Sequence, residues 1–308
     1  MIDFRAYDRI RLYTHNRTET PTGHEVGHFD DWLLMALSAY LPRWSATRLD
    51  RVDDVQYVGS RLSPEPYVLN VVADFIYSPT PEEKNLVVFD HHDPSRPTDK
   101  CSAHLLMEEL VRQGMLREVP SLMEEISLWD VVGPQAVTPE NRPDPDRYLS
   151  ILAAEPAEGF DQETAEFIWN TLDRSHSIRQ LVDELFFAEN ELGERARRIY
   201  DEILAGREEA LDEILYGAKL EVSPSGARYI VLSRNPAGLL NEVFSRTDVD
   251  IAIHPNERTP SAVSVVRDSN GRYATTPVSE LVEVAKDQVV FTHPGGFLLV
   301  AYPPVIVK

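Results

Sequence analysis

The chain has 308 residues, 43% of them apolar, which is enough for one large domain or two ordinary ones with real cores. It carries 51 Asp and Glu against 30 Lys and Arg, a net charge of −21. That excludes a broad electrostatic grip on long duplex DNA or on an anionic membrane, while leaving room for a local cationic pocket. A single cysteine, Cys101, excludes an intrachain disulfide and a cysteine zinc cage. The N-terminal "MIDFRAYDRIRLY" lacks the apolar core of a secretory leader. No apolar run approaches the roughly 18 residues that span a bilayer. A cytoplasmic protein with no membrane partner is expected.

In chain order, "RIRLYTH" (9–15) reads as a first strand ending at His15, followed by the polar loop "NRTETPTGHEVG". "HFDDWLLMALSAYL" (28–41) reads as a helix whose first turn holds Asp30 and Asp31, where the helix dipole favours acids. "YVLNVVAD" (67–74) and "KNLVVFD" (84–90) read as two further strands, and "DKCSAHLLMEELVRQG" (99–114) as a helix stopped by Gly114. Strands alternating with helices point to an α/β fold with a mostly parallel sheet and flanking helices.

From about 146 to 217 apolar residues recur three and four apart among acids and arginines, as in solvated helices. Beyond 218, short β-rich runs such as "VDIAIHP" and "GGFLLVAYPP" are punctuated by Ser-Gly, Ser-Asn-Gly and Gly-Gly turns. Three segments are therefore expected: an α/β domain over 1–145, a helical connector over 146–217, and a smaller C-terminal α/β domain over 218–308. Residues 221–308 hold 8 Lys and Arg against 9 Asp and Glu, so the acidic excess lies almost wholly in the first two segments.

In a parallel sheet, ligands gather at the carboxyl ends of the strands. Three expected strands end at His15, Asp74 and Asp90-His91-His92, and "HFDD" opens a helix at the same edge. Five of the nine histidines (His15, His24, His28, His91 and His92) fall in this region. Mixed imidazole and carboxylate ligands without thiolate suit Mn²⁺, Mg²⁺ or Fe²⁺ better than structural zinc. Taken singly, each of these residues has a plainer role: a surface imidazole, a helix-start acid, a turn cap. Their joint placement at strand ends is what points to metal, because clustered acids are costly without a cation. Cys101 and His104 read as a packed small residue and a helix-surface imidazole, and Trp129 as a core anchor.

The order "HFDD", "VVAD", "FDHH", "SLWDVVGP" resembles the DHH phosphoesterase superfamily, which includes RecJ nucleases, nanoRNA and cyclic-dinucleotide phosphodiesterases and family II pyrophosphatases. The likeness covers most of residues 9–135. It implies that Asp74 bridges two metal ions, Mn²⁺ or Mg²⁺. His91 would be a ligand oriented by Asp90, His92 would face phosphate, and Asp30 and Asp130 would be further ligands. The first motif departs from the commonest pattern: His24 and Asp30 keep their places, but His28 stands where an acid is usual. "THN" followed by "HFDD" looks more like the melanocyte-proliferating-gene (MYG) exonuclease branch, so His15 and His24 compete for the first ligand position. His15 is preferred because it directly follows the strand. "FTHPGGF" (291–297) resembles the substrate loop of that superfamily, with His293, Gly295 and Gly296. "SVVRDSNGRY" would supply Arg267 as a bidentate phosphate clamp. The resemblance thus implies a phosphodiesterase acting on short RNA or DNA or on a small phosphorylated nucleotide. Pyrophosphatase-like chemistry and a catalytically silent metal- or nucleotide-binding protein stand as alternatives, and homo-oligomer formation is left open.

Overall fold

Parallel pairing organises the first half of the chain. The structure, a computed structural model, describes residues 2–15, 17–49, 62, 65–74, 84–91, 98–236, 238–256, 262–293, 296–301 and 305–308; of Lys286, Phe291 and His293 it describes the backbone alone. The chain divides into two units, Met1–Arg17 with Val26–Tyr200, and Thr18–Glu25 with Asp201–Lys308.

The first unit holds a four-stranded sheet of β1 (Arg9–His15), β2 (Trp44–Leu49), β3 (Val68–Ala73) and β4 (Leu86–Phe89), in the order β2-β1-β3-β4. All three pairings are parallel, with His15 opposite Leu49, Tyr13 opposite Val72 and Ala73 opposite Phe89. Every residue of β3 is buried, as a central parallel strand requires. The chain leaves β1 toward β2 on one side and takes up β3 and β4 on the other. The order therefore reverses between β1 and β3, and such a reversal opens a crevice at the carboxyl ends of those two strands.

Helix α1 (Phe29–Tyr40) is buried from Phe29 to Ser38, a helix apolar almost all round and packed into the core. Helix α2 (Ser102–Arg112) follows β4, and α3 (Met123–Ser127) follows α2. Helices α4 (Pro145–Ala153), α5 (Gln162–Arg174) and α6 (Ile178–Phe186) are each opened by a capping side chain. Asp144 accepts from the Asp146 and Arg147 N–H groups, Asp161 from Thr164 and Ser177 from Gln180. They pack into the first unit: Trp169 of α5 stacks on Tyr40 of α1 at 5.4 Å, and Phe160 meets Trp32 edge-on at 5.1 Å. The helical segment expected as a connector is thus shared between the units. Its first part covers α1, and the later turns of α7 (Glu191–Leu215) belong to the second unit.

The second unit is built on a mixed sheet of β5 (Lys219–Val222), β6 (Arg228–Val231), β7 (Ile251–Pro255), β8 (Ala262–Arg267), β9 (Val289–His293) and β10 (Phe297–Ala301). Its order is β9-β10-β8-β7-β6-β5, with β6 and β7 parallel and the other neighbours antiparallel. Ala210, Leu211 and Ile214 of α7 close one core with Ile230, Val243 and Phe244, the last two from α8 (Leu240–Thr247). Among the described residues, no helix is long and apolar enough to cross a membrane.

One strand of the first unit's parallel sheet has no counterpart in the sequence reading. β2 carries exposed and half-buried residues at its centre, "WSATRL", so its period is weak; it is held by pairing with β1. Its Arg48 is 9% exposed and forks onto Glu155, which is 2% exposed, while also donating to the His15 carbonyl at 2.6 Å. Gly27 lies against the same guanidinium, where an added Cβ would sit 3.0 Å from both terminal nitrogens. Removing one partner of a buried pair leaves an uncompensated charge. Glu155→Ala is expected to cost about 3–5 kcal/mol of unfolding free energy, measured by urea titration.

Candidate metal centre

The crevice between β1 and β3 is where acid accumulates. β1 delivers His15, whose side chain is 3% exposed. α1 begins without a side-chain cap at His28, and its first turn directs Asp30 and Asp31, both fully buried, inward instead of toward water. Thr14 donates its hydroxyl to Asp31 Oδ1, and the His15 N–H reaches the same oxygen at 3.4 Å. β3 ends in Asp74, whose φ is +62°. That left-handed turn is open to aspartate and asparagine but strained for most side chains. It sets a fully buried carboxylate at the strand tip while the Asp74 N–H donates to Phe89 O at 3.0 Å. β4 ends in Asp90 and His91.

Asp130 arrives by a different route. Residues Leu128–Val132 form a single turn of π-helix, closed by the Gly133 N–H donating to Leu128 O at 3.1 Å. Gly133 has φ +107°, which a side chain would oppose. A π-turn is a costly wide turn that recurs where a helix must aim a functional side chain. Trp129, beside it, is half-buried against Tyr148 at 5.4 Å, so it packs at the rim of the core and not within it.

The resulting distances are short. Asp74 lies 3.4 Å from His15 Nε2, 3.7 Å from His28 Nδ1 and 3.3 Å from His91 Nδ1. His91 Nε2 lies 3.2 Å from Asp130 Oδ2. Ligand atoms gather within 4.8 Å of one another in three overlapping groups: His28 with Asp30, Asp31 and Asp74; Asp30 with His91 and Asp130; Asp74 with Asp90 and His91. Asp30 Oδ2 is buried with no hydrogen-bond partner among the described residues.

Burial and mutual repulsion raise the pKa values of Asp30, Asp74 and Asp130 above the ordinary carboxylate range. Burial raises Asp30 most, then Asp130 and Asp31; burial raises Asp74 most, then Asp30, Asp31, Asp130 and Asp90. Burial, followed by Asp31, lifts Asp130 to about 7. Burial, Asp30 and Asp130 likewise push the Cys101 thiol up, so no thiolate competes for a metal. The set is rich in oxygen, with two or three imidazoles and a buried acceptor lacking a donor. Its acids ionise readily only beside a positive charge, and together these features fit a hard divalent cation.

The expected site residues are thus distributed unevenly. His15, His28, Asp30, Asp74, Asp90, His91 and Asp130 come together in the first unit. His24 lies in the second unit, its Nε2 3.7 Å from Glu202. His92 and Gly295 fall outside the described residues, as does the His293 side chain. Arg267 is 6% exposed at the end of β8 and donates its backbone N–H to Gly296 O at 3.2 Å. An added Cβ at Gly296, φ +98°, would lie 2.7 Å from Arg267 Nε. Arg267 Nε and Nη1 have no hydrogen-bond partner among the described residues, and burial lowers its pKa. A desolvated guanidinium with idle donors is a ready anion ligand.

Two assignments change. Asp31 belongs to the cluster; its signal lay in "HFDD", where it reads as a dipole-favoured helix acid. His104 is not on the helix surface: it is 2% exposed, with Nδ1 2.9 Å from Ser127 Oγ, and burial lowers its pKa.

Several solved structures are similar to this chain at low identity. A DHH-domain protein described as a member of a family of ribosomal proteins is 15% identical, with TM-score 0.43, covering 96% of this chain and 83% of that one. RecJ from Thermus thermophilus, in complex with Mn²⁺, is 12% identical, with TM-score 0.40, covering 98% of this chain and 50% of that one. A putative family II inorganic pyrophosphatase from Methanococcus jannaschii is 11% identical, with TM-score 0.24, covering 94% of each chain. No family model and no curated protein matches the sequence.

Two outcomes follow from the electrostatics. Asp74→Asn keeps the left-handed turn and replaces an acid that burial makes costly to ionise, so the metal-free thermal midpoint holds or rises. Mn²⁺ at a hundredfold over its Kd should stabilise the wild-type chain by about 2.7 kcal/mol and leave the variant unmoved. For Asp130 the folded pKa, about 7, lies above the unfolded value, so its contribution is fully present below about pH 4 and is lost as pH rises through 7. The chelator-treated protein should therefore lose stability between about pH 5 and about pH 8, with a shallower loss in Asp130→Asn, measured by thermal melts across that range.

Proposed function

We propose that the chain is a divalent-metal-dependent phosphoesterase that hydrolyses phosphodiester bonds. The observation that carries it is the convergence of five aspartates and three histidines at the carboxyl edge of a parallel sheet, where burial disfavours the ionised forms of Asp30, Asp74 and Asp130 unless a cation accompanies them. Two ions, Mn²⁺ or Mg²⁺, are assigned to His15, His28, Asp30, Asp31, Asp74, His91 and Asp130. When bound they would lower the pKa of a water and neutralise phosphoryl oxygens. Asp30 and Asp74 each take part in two of the three ligand groups, and the superfamily resemblance assigns the bridging role to Asp74. Asp90, grouped with His91 and Asp74, is assigned to orient the imidazole. His92, next along the chain, is assigned to phosphate, and within the second unit Arg267, His293, Gly295 and Gly296 are assigned as an anion-binding group. The idle donors of Arg267 support that assignment.

The MYG-like spacing of the first motif favours a short RNA or DNA end as substrate, cut as an exonuclease, over a small cyclic or 3′-phosphorylated nucleotide and over pyrophosphate. The net charge of −21 favours a short substrate over a long duplex in the same way. The test is Mn²⁺-dependent turnover of bis-p-nitrophenyl phosphate, a labelled short oligonucleotide and pyrophosphate, side by side. His91→Ala should lower the rate about a thousandfold, the equivalent of the several kcal/mol a metal contributes. His15→Ala should lower the metal content, whereas His24→Ala should not; the reverse would move the first ligand to His24. Two bound ions without turnover of any substrate would replace this reading with a silent binding protein.

A further inference from the structure

The cluster leaves open which nitrogen of His91 faces the metal, because its ring touches acids at both ends. Nδ1 lies 3.3 Å from Asp74 Oδ1, and Nε2 lies 3.2 Å from Asp130 Oδ2. His91 belongs to two groups of potential ligands, one with Asp30 and Asp130 and one with Asp74 and Asp90. A neutral imidazole offers one lone pair, so one end must carry the proton and the other binds.

The residue that breaks this tie is Ser102, the first residue of α2. Its hydroxyl is fully buried and lies 3.0 Å from His91 Nδ1 and 3.4 Å from Asp74 Oδ1. With a cation bound the Asp74 carboxylate is ionised and only accepts, so the single hydroxyl proton is directed to Asp74. The serine oxygen then has only lone pairs left for His91. Two acceptors, Ser102 Oγ and Asp74 Oδ1, thus surround Nδ1, and both are satisfied only if Nδ1 holds the proton. Nε2 is left with its lone pair, among Asp30 and Asp130.

We infer that Ser102 is a positioning residue: it fixes the His91 tautomer so that Nε2, grouped with Asp30 and Asp130, is the metal-binding atom. The inference rests on the phosphoesterase reading and sharpens it, since it assigns His91 to the Asp30–Asp130 position and leaves its Nδ1 edge as a support for Asp74. Helix α2 thereby takes part in the site through a residue that touches neither substrate nor ion. Cys101, immediately before it, anchors that helix start by donating its N–H to Ser127 Oγ at 3.2 Å, and Ser127 in turn contacts His104. The serine is therefore held in place from behind by a buried network that does not depend on the metal.

The experiment uses the full chain and Ser102→Ala, which removes one oxygen from a packed position and adds nothing. Mn²⁺ affinity, measured by titration calorimetry, should fall about ten- to hundredfold, as it generally does on loss of an outer-shell partner of a metal-binding imidazole. Long-range ¹H–¹⁵N spectra of a sample loaded with Cd²⁺, a diamagnetic cation of similar size to Mn²⁺, should show His91 of the wild-type chain protonated at Nδ1 and bound through Nε2. A merely structural serine would leave that signature unchanged on substitution, whereas here the variant should show mixed tautomers. Wild-type Mn²⁺ affinity in the variant, or Nδ1 coordination in the wild-type chain, overturns the inference and leaves the phosphoesterase reading standing. A wild-type chain that binds no Mn²⁺ overturns both.

Discussion

Five carboxylates share a space in which ionised acids repel one another and water cannot screen them. Each of Asp30, Asp74 and Asp130 is driven toward its protonated form first by burial and then by the others. The surrounding fold makes sense as a means of enforcing that crowding. The central strand supplies a rigid tip, the buried helix α1 presses its acidic first turn against β1, and Arg48 ties the end of β1 to Glu155. A fold that gives up stability to hold such a cluster stores a strong preference for cations, and this preference is the physical basis for reading the centre as a metal site.

Imidazoles divide the work among themselves by exposure. His15 and His91 are sealed in the crevice, at 3% and 4% side-chain exposure, whereas His28 is 44% exposed and stands at the mouth. The sealed pair suits permanent ligands whose geometry is set by neighbours. The open one suits a ligand that solvent reaches directly. Within the second unit the electrostatics differ: the buried Arg267 guanidinium packs against Gly296, and residues 221–308 are almost neutral overall.

Much of the first unit was legible because its strands are short apolar runs cut off by chemistry-bearing residues. β1, β3 and β4 fall where "RIRLYTH", "YVLNVVAD" and "KNLVVFD" place them, and α1 and α2 lie within their expected spans. Less legible features share a cause: tertiary partners decide them. β2 is a strand because β1 pairs with it, not because of its own alternation. Asp31 is set apart from an ordinary helix-start acid by partners such as Thr14 and the His15 N–H, neither near in sequence. His104 is buried because Ser127 comes back to meet it. The left-handed turn at Asp74 cannot be read from an aspartate, which tolerates that conformation without announcing it.

The π-turn at Leu128–Val132 has a consequence for what kinds of change this protein can absorb. A helix advances about 100° per residue, so one residue more or fewer within that turn swings everything beyond it a quarter-turn or more about the axis. The aim of Asp130 is therefore held by a count of residues as much as by any side chain. Substitutions along the segment would leave the acid in the crevice, whereas a single deletion would carry it away with every residue of the centre intact. Among descendants of this chain, the spacing between Leu128 and Gly133 should be guarded more closely than the letters that fill it.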